Sequence, residues 1–252
     1  MSREAAFFDI DGTLYRDSLM IEHFKKLIKY EIIDERLWLD NGKDVFNDWD
    51  KRQGNYDDYM NQVSVLYVNS IKGLDKSFAE FAADQVIKLK ADRVYKYTRS
   101  RIKWHLDKGH LVIFISGSPD FLVERMANKY NVTDFKGSEY KLKGNKFTGE
   151  IIPMWDAKSK NKTIDFFVEK YNIDLSKSYA YGDTNGDFSM FQRVKYPTAI
   201  NPSKEFLINI KEDEDVFKKT NIIIERKDLI YKLDPSVEFL KDEDLYCIDC
   251  FK

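Results

Sequence analysis

Short apolar runs that end abruptly in polar loops constrain the fold of this chain more than any other feature of its sequence. Such runs occupy residues 5–10, 111–115, 179–181, 197–200 and 222–224. A short apolar run without alternation is typical of a strand buried on both faces of a parallel sheet, and we expect the last run at an edge. Helical patterns lie between the runs, most clearly at 120–130 and 158–171, and a hairpin is predicted at 138–152. This alternation predicts an α/β fold with a Rossmann-like parallel-sheet core.

Residues 15–97 differ from the rest of the chain, because they are rich in charged and aromatic residues and lack a buried-strand run. Their spacing predicts helices, most clearly at 22–30 and 78–97. We therefore expect an inserted helical cap domain at 15–97 and a core domain formed by 1–14 and 98–252. The aromatic residues of the insert are expected to form its own core, with a pocket lining as the alternative: Trp38, Trp49, Tyr56, Tyr59 and Tyr67.

The charge of the chain is nearly balanced, with 41 Lys and Arg against 43 Asp and Glu and a formal net charge of -2. This balance gives no reason to expect binding to nucleic acid or to a membrane surface, so an anionic substrate must be attracted by a local site. No apolar stretch approaches the ~20 residues of a membrane helix, and the first residues lack the pattern of a signal peptide. We expect a soluble cytoplasmic protein in which Cys247 and Cys250 are ordinary reduced thiols.

Two acidic loops follow strand runs. Asp9 and Asp11 lie in DIDGT after the first run, and Asp183 and Asp187 lie in GDTNGD after the third. Taken singly, each loop is also compatible with a turn that caps a helix. The carboxyl ends of parallel strands meet at one edge of a sheet, so these carboxylates should converge and repel one another unless a cation lies between them. Mg²⁺, which prefers oxygen ligands, fits such a site.

Two further segments suit a phosphate group. Ser116 and Gly117 follow the second run, where a hydroxyl and exposed backbone amides ahead of a helix can bind a phosphate oxygen. The helix at 158–171 opens with Lys158, Lys160 and Lys162, any of which could neutralise a phosphate. An ordinary Ser-Gly-Ser turn and a solvated lysine face are the alternatives.

Together, and in this order, the four segments resemble the signature motifs of the haloacid dehalogenase (HAD) superfamily, in its phosphoserine-phosphatase-like branch. DIDGT is similar to the first motif, SGS to the second, the lysine-rich helix start to the third and GDTNGD to the fourth. The resemblance covers most of the chain outside the insert. It implies the HAD fold with a helical cap inserted between the first two motifs.

The resemblance also implies roles for single residues. Asp9 would attack phosphorus and form an aspartyl-phosphate, and Asp11 would act as general acid and then general base. Ser116 and Gly117 would hold phosphate oxygens. Lys160 stands at the family's lysine position when residues are counted back from the fourth motif, so it would bind phosphate and assist catalysis.

The family's magnesium ligands can be placed in the same way. Mg²⁺ would be held by the side chain of Asp9, the backbone carbonyl of Asp11 and the side chain of Asp183, with Asp187 close by. The expected activity is Mg²⁺-dependent hydrolysis of a small phosphorylated metabolite. The alternatives are a phosphotransferase or phosphomutase of the same superfamily, and a catalytically inactive HAD-fold binding protein.

One position departs from the branch's pattern. Phosphoserine phosphatases of this branch carry a glutamate nine residues after the nucleophile, whereas Ser18 stands at that position here. Asp17 and Glu22 lie near it in sequence without matching it. The departure argues against phosphoserine as the substrate. We expect the protein to be a monomer or a homodimer.

Overall fold

The computed structural model describes residues 2–53 and 56–240, without the side chains of Asn41 and Asp57. The predictions for Cys247 and Cys250 fall outside the described residues. None of the described helices is long and apolar enough to cross a bilayer.

Strands and helices alternate along the described chain. The strands are β1 (Ala5–Phe8), β2 (Leu111–Pro119), β3 (Asp134–Lys143), β4 (Lys146–Ile152), β5 (Tyr179–Gly182), β6 (Tyr196–Ile200), β7 (Asn221–Arg226) and β8 (Leu229–Leu233). The helices are α1 (Leu19–Lys29), α2 (Arg36–Asn41), α3 (Lys43–Asp50), α4 (Tyr56–Ile71), α5 (Lys76–Lys90), α6 (Lys96–Asp107), α7 (Asp120–Tyr130), α8 (Ala157–Tyr171), α9 (Phe188–Arg193), α10 (Lys204–Glu212) and α11 (Glu214–Lys219).

The strands form one sheet in the order β4-β3-β2-β1-β5-β6-β7-β8. Pairing is parallel from β3 to β7, and β4 and β8 add antiparallel strands at the two edges. This confirms the predicted α/β fold. The prediction that the run at 222–224 forms an edge was wrong, because β8 pairs beyond it. The predicted hairpin at 138–152 is present, but its first strand begins earlier and also pairs in parallel with β2.

The two faces of the sheet support separate hydrophobic cores. Ala6 and Phe8 of β1 belong to a core that they share with α1, α4, α5, α6 and α7. The alternate residues Ala5 and Phe7 belong to a second core, shared with α8, α9, α10 and α11. Because successive side chains of a strand point to opposite faces, an apolar run without alternation covers both cores at once.

The helices α1–α5 lie in the chain between β1 and α6, and we call them the inserted helices. The prediction of one helix over 78–97 was wrong, because α5 and α6 are separate. Between them the chain returns to the segment that left β1: Arg16 N–H donates to the Arg93 carbonyl, and Tyr95 N–H donates to the Leu14 carbonyl, both at 2.9 Å. The exact domain division at residues 15 and 97 stays a prediction.

Aromatic residues pack inside the inserted helices, as expected. Tyr67 is fully buried and Tyr59 nearly so, and the Trp49 ring stacks on Tyr59 with centroids 6.2 Å apart. Tyr56 packs against Trp49, with ring centroids 5.1 Å apart, and also lines the pocket described below. The expected core role therefore holds for most of these rings, and the pocket alternative holds for one.

A buried histidine joins three of the inserted helices. His23 on α1 lies 2.8 Å through Nε2 from the Ala79 carbonyl of α5, and 2.8 Å through Nδ1 from the Tyr67 hydroxyl of α4. A neutral ring that donates from Nε2 and accepts at Nδ1 satisfies both contacts. Burial lowers the pKa of His23 to about 4, so the ring stays neutral where a free histidine would be protonated.

This burial predicts a loss of stability in mild acid. Below pH 6.5 the unfolded chain protonates His23 while the folded chain does not, so the free energy of unfolding should fall as the pH drops towards 4. Between pH 7 and pH 5 the loss from this residue should be about 2 kcal/mol. The variant His23→Gln keeps a donor for the Ala79 carbonyl but cannot titrate. Urea unfolding at the two pH values should show a smaller loss in the variant; an equal loss would contradict the assignment.

Candidate active site

The acidic loops predicted from the sequence meet at one edge of the sheet. Asp9 and Asp11 follow β1, Asp183 and Asp187 follow β5, and these two strands are parallel neighbours. Chain connections leave in opposite directions from this pair, to β2 on one side and β6 on the other. Such a reversal of strand order opens a crevice beyond the carboxyl ends of the strands, where ligands of open α/β sheets bind.

Three of the carboxylates form a compact buried cluster. One oxygen each from Asp9, Asp183 and Asp187 lies within 4.8 Å of the others. The residues are 5%, 7% and 0% exposed. Burial raises the pKa of Asp9 and of Asp183 well above the ordinary value, and mutual repulsion adds to it, while Lys160 opposes the shift. A divalent cation with oxygen ligands fits this donor set and would relieve the repulsion.

A single lysine reaches into the cluster. Lys160 Nζ donates to Asp9 Oδ1 at 2.8 Å and to Asp187 Oδ1 at 2.5 Å. Burial alone would lower the pKa of Lys160, but the carboxylates of Asp187 and Asp9 outweigh burial and raise it, so the lysine is charged. Lys158 and Lys162 are exposed. Of the three lysines predicted as alternatives, the structure therefore brings Lys160 to the carboxylates.

The position of Lys160 follows from the start and the period of α8. The Asp156 side chain caps the helix by accepting from the Ser159 N–H at 2.9 Å. Lys160 then shares the buried face of the helix with Ile164 and Phe167, at helical spacing. The apolar stripe that packs α8 against the sheet thus also directs the ammonium group towards the strand ends.

Asp187 organises the loop after β5. Its Oδ2 accepts from the backbone N–H of Asp183 at 3.0 Å and of Thr184 at 3.2 Å, while Oδ1 takes the lysine. A Cβ at Gly182 would lie 2.4 Å from the Asp187 Cβ, so this close approach needs glycine. Asp187 therefore holds Asp183 in place as well as adding charge to the cluster.

The two acidic loops are also joined directly. Thr13 Oγ1 donates to Asp183 Oδ1 at 2.8 Å. Gly12 has φ +79°, and a Cβ there would meet Asp183 Oδ2 at 1.9 Å, so the first loop can pass this carboxylate only with glycine.

Asp11 is held apart from the three-carboxylate cluster. Its Oδ1 accepts from the Leu19 N–H at 2.8 Å, at the start of α1, and its Oδ2 accepts from the Ser118 hydroxyl at 2.5 Å. Burial raises the pKa of Asp11 to about 6, and these two hydrogen bonds oppose the rise. Of the four predicted metal residues, Asp11 is thus the one whose side chain lies outside the cluster.

The last residues of β2, which extends past the second apolar run to Pro119, contribute backbone and a hydroxyl to the pocket. Gly117 and Ser118 line the pocket, and the carbonyl of Gly117 accepts from the Ser138 hydroxyl at 2.7 Å. Ser116 is fully buried, and its Oγ accepts from the Ser118 N–H at 3.2 Å. That bond leaves the proton of the Ser116 hydroxyl for another acceptor.

A pocket of about 280 Å³ lies between these loops and the inserted helices, a size that suits a small molecule. Several residues that line the pocket were not among the site residues expected from the sequence: Met20, Met60, Asn61, Ser64, Ser118, Trp155, Thr184, Asn185 and Gly186. Trp155 packs closely against Gly117 and Gly186. A Cβ at Gly117 would lie 2.9 Å from the Trp155 Cβ, and a Cβ at Gly186 would lie 2.2 Å from the Trp155 carbonyl oxygen. Proximity to a motif could have indicated Ser118 and the three residues inside GDTNGD (Thr184, Asn185 and Gly186), whereas tertiary packing brings the others to the pocket.

Ser18, the residue that departs from the family pattern, lines the same pocket. Its hydroxyl caps α1 by accepting from the Ile21 N–H at 3.4 Å. The nearby acids are engaged elsewhere: Asp17 accepts from the Ser18 N–H, and Glu22 is buried with Arg93 at 3.5 Å. Neither acid is among the described residues that line the pocket.

The cluster predicts a measurable metal site. We expect Mg²⁺ to raise the melting temperature, because the carboxylates are brought together only in the folded state. At a concentration a hundred times its Kd, the ion adds about 2.7 kcal/mol to the free energy of unfolding. The variant Asp183→Asn removes one repelling charge. It should therefore melt at or above the wild-type temperature without metal, and should gain little from Mg²⁺. Thermal melts in Mg²⁺ and in excess chelator measure both effects.

The matched control is Asp165→Asn, which changes an exposed carboxylate on α8 that pairs with Arg193. It should respond to Mg²⁺ as the wild type does. An equal rise in melting temperature in wild type and Asp183→Asn would place the ion elsewhere. No rise in the wild type would contradict a site at this cluster.

Comparisons with known proteins agree with this geometry. Phosphoserine phosphatase SerB1 of Mycobacterium tuberculosis (strain H37Rv) is 25% identical over 207 residues, which is 79% of this chain but only 65% of that protein's length. A histidinol-phosphatase of Neisseria meningitidis serogroup C is 21% identical over 216 residues, covering 83% of this chain and 96% of that protein. A solved structure of a phospho-aspartyl intermediate analogue of phosphoserine phosphatase shares the fold, with a TM-score of 0.59, 18% identity, and coverage of 90% of this chain and 96% of that one.

A family model described as haloacid dehalogenase-like hydrolase matches residues 6–192. The match spans most of the chain and includes all four motif segments that meet at the site. The chain therefore belongs to the haloacid dehalogenase-like hydrolases, as its sequence motifs predicted.

Proposed function

We propose that this protein is a Mg²⁺-dependent phosphatase that hydrolyses a small organic phosphomonoester through an aspartyl-phosphate on Asp9. The observation that carries the proposal is the place of Lys160, whose ammonium lies between the carboxylates of Asp9 and Asp187 beside a pocket of small-molecule size. A carboxylate nucleophile and a phosphate dianion repel each other, and an arrangement of this kind offsets the repulsion. The named activities of the two relatives, both phosphatases, support the same proposal.

The residues present fit a magnesium ion. Asp9 and Asp183 would hold it with side-chain oxygens and Asp11 with its backbone carbonyl, while Asp187 adds negative charge and fixes the Asp183 loop. When bound, Mg²⁺ would supply the positive charge that lets a phosphate dianion approach the nucleophile.

In the first step, a carboxylate oxygen of Asp9 forms a bond to phosphorus while the ester P–O bond breaks. Asp11 donates its proton to the departing alcohol oxygen. The raised pKa of Asp11 suits this role, because a carboxyl group with a pKa of about 6 carries a proton for part of the time near neutral pH. Its hydrogen bonds to Leu19 and Ser118 fix the direction of the transfer.

In the second step, Asp11 is ionised and takes a proton from a water molecule, whose oxygen attacks phosphorus. The bond between phosphorus and Asp9 breaks, which releases inorganic phosphate and restores both carboxyl groups. Lys160, the backbone N–H of Gly117 and the free hydroxyl proton of Ser116 would stabilise the phosphoryl oxygens in both steps.

The inserted helices would act as a cap over this chemistry. The pocket is lined on one side by the strand-end loops and on the other by residues of α1 and α4. The strand-end loops would thus carry out phosphoryl transfer, and the helices would select the alcohol and exclude water.

The direct test is release of phosphate from a panel of phosphorylated metabolites and a generic aryl phosphate. We expect release that requires Mg²⁺ and is lost in excess chelator. Asp9→Asn should lower kcat by about 10⁴-fold or more, since it removes the nucleophile. The exposed-residue variant Asp165→Asn is the control and should retain wild-type activity.

Full activity of Asp9→Asn would contradict the proposed mechanism, and so would wild-type activity that excess chelator leaves unchanged. Transfer of the phosphoryl group to a second alcohol in place of release as inorganic phosphate would favour a phosphotransferase that uses the same aspartyl-phosphate.

A further inference from the structure

We propose that the alcohol portion of the substrate is uncharged and largely apolar, with an aromatic or similarly flat group favoured. This inference rests on the proposed function, because it concerns the leaving group of that same reaction. It comes from the wall of the pocket that faces away from the strand-end loops.

That wall consists of neutral side chains. From the start of α1 come Ser18 and Met20, and from α4 come Tyr56, Met60 and Ser64. Met20 is 5% exposed and is therefore held in place by its neighbours. Thioether sulfur makes favourable contacts with aromatic rings, and the Tyr56 ring offers a flat surface of its own.

The two serine hydroxyl groups of this wall each make one hydrogen bond within the protein. Ser64 Oγ donates to the Met60 carbonyl at 2.7 Å, and Ser18 Oγ accepts from the Ile21 N–H. The amide of Asn61 and the phenol of Tyr56 are the other polar groups on this side. The wall is therefore suited to a mainly apolar group with one or two hydrogen bonds.

The charged side chains among the described lining residues are Asp9, Asp11 and Lys160, and all three belong to the catalytic centre. Lys160 donates to two carboxylates, and its third N–H would go to a phosphoryl oxygen in the proposed reaction, so none is left for a carboxylate of the leaving group. The nearest buried acid of α1, Glu22, is neutralised by Arg93. A charged leaving group that lies against this wall would thus lose hydration without meeting an opposite charge on the wall, which is costly.

Four esters test this prediction, and three of them are closely matched in size. Propyl phosphate has a neutral leaving group, O-phosphoethanolamine carries an ammonium in place of the terminal methyl, phosphoglycolate carries a carboxylate, and 2-phenylethyl phosphate adds a ring. Their affinities would be measured by calorimetry in Mg²⁺ on Asp9→Asn, so that binding is read without turnover. We expect 2-phenylethyl phosphate to bind most tightly, and propyl phosphate to bind at least about tenfold more tightly than either charged ester.

Binding of a charged ester as tight as that of propyl phosphate would overturn the inference, and so would failure of all four to bind. Hydrolysis by the wild-type protein is scored separately. Binding in the expected order without any hydrolysis would leave the inference standing and count against the proposed function. Hydrolysis with a preference for a charged ester would overturn the inference and support the proposed function.

A charge added to the wall supplies a second readout. In the Asp9→Asn background, Asn61→Asp should shift the affinity ratio towards O-phosphoethanolamine, relative to propyl phosphate, by about threefold. The matched change Asn69→Asp, at an exposed position on the same helix and outside the pocket lining, should leave the ratio unchanged. An unchanged ratio in Asn61→Asp would overturn the placement of the leaving group against this wall.

Discussion

The ammonium of Lys160 between Asp9 and Asp187 is the interaction on which the rest of the site depends. It joins β1, α8 and the loop after β5, which are far apart in sequence. All three groups are almost completely buried, so removal of Lys160 would leave two carboxylates uncompensated, at a cost of about 3–5 kcal/mol, whereas removal of one aspartate leaves the lysine paired with the other. A cluster that still carries excess negative charge at a pocket has a clear physical use, because it is ready to receive a cation together with a phosphate.

The fold separates this charge from the groups that contact the rest of a substrate. Buried parallel strands bring the acidic loops together at the point where strand order reverses, and the core of α8–α11 holds them from one face. The inserted helices pack on the other face and supply a neutral wall. The Asp11 side chain links the two parts, since its oxygens accept from Leu19 at the start of α1 and from Ser118 near the end of β2. The position of the inserted helices and the placement of the proposed proton donor are thereby coupled.

The parts of this structure that local chemistry determines could be predicted from the sequence. The apolar runs predicted the buried strands, and the motifs indicated the aspartates at the strand ends. Counting between motifs indicated Lys160, which lies on the buried face of a helix whose period is visible in the sequence. Features that tertiary packing determines could not be predicted: the break between α5 and α6, the start of β3 beside β2, and the wall formed by Met20 and Met60. Those features depend on which helix faces lie together, and neither spacing nor residue type specifies that.

The central claim is that Asp9 becomes covalently phosphorylated. In Asp11→Asn, an aryl phosphate should still transfer its phosphoryl group, because its leaving group needs little protonation, while hydrolysis of the intermediate should be slow. Acid quenching followed by peptide mass spectrometry should then show one added phosphoryl group on the peptide that contains Asp9. Steady release of the aryl alcohol with no modification of that peptide would contradict the account, since it would mean that water attacks the ester directly.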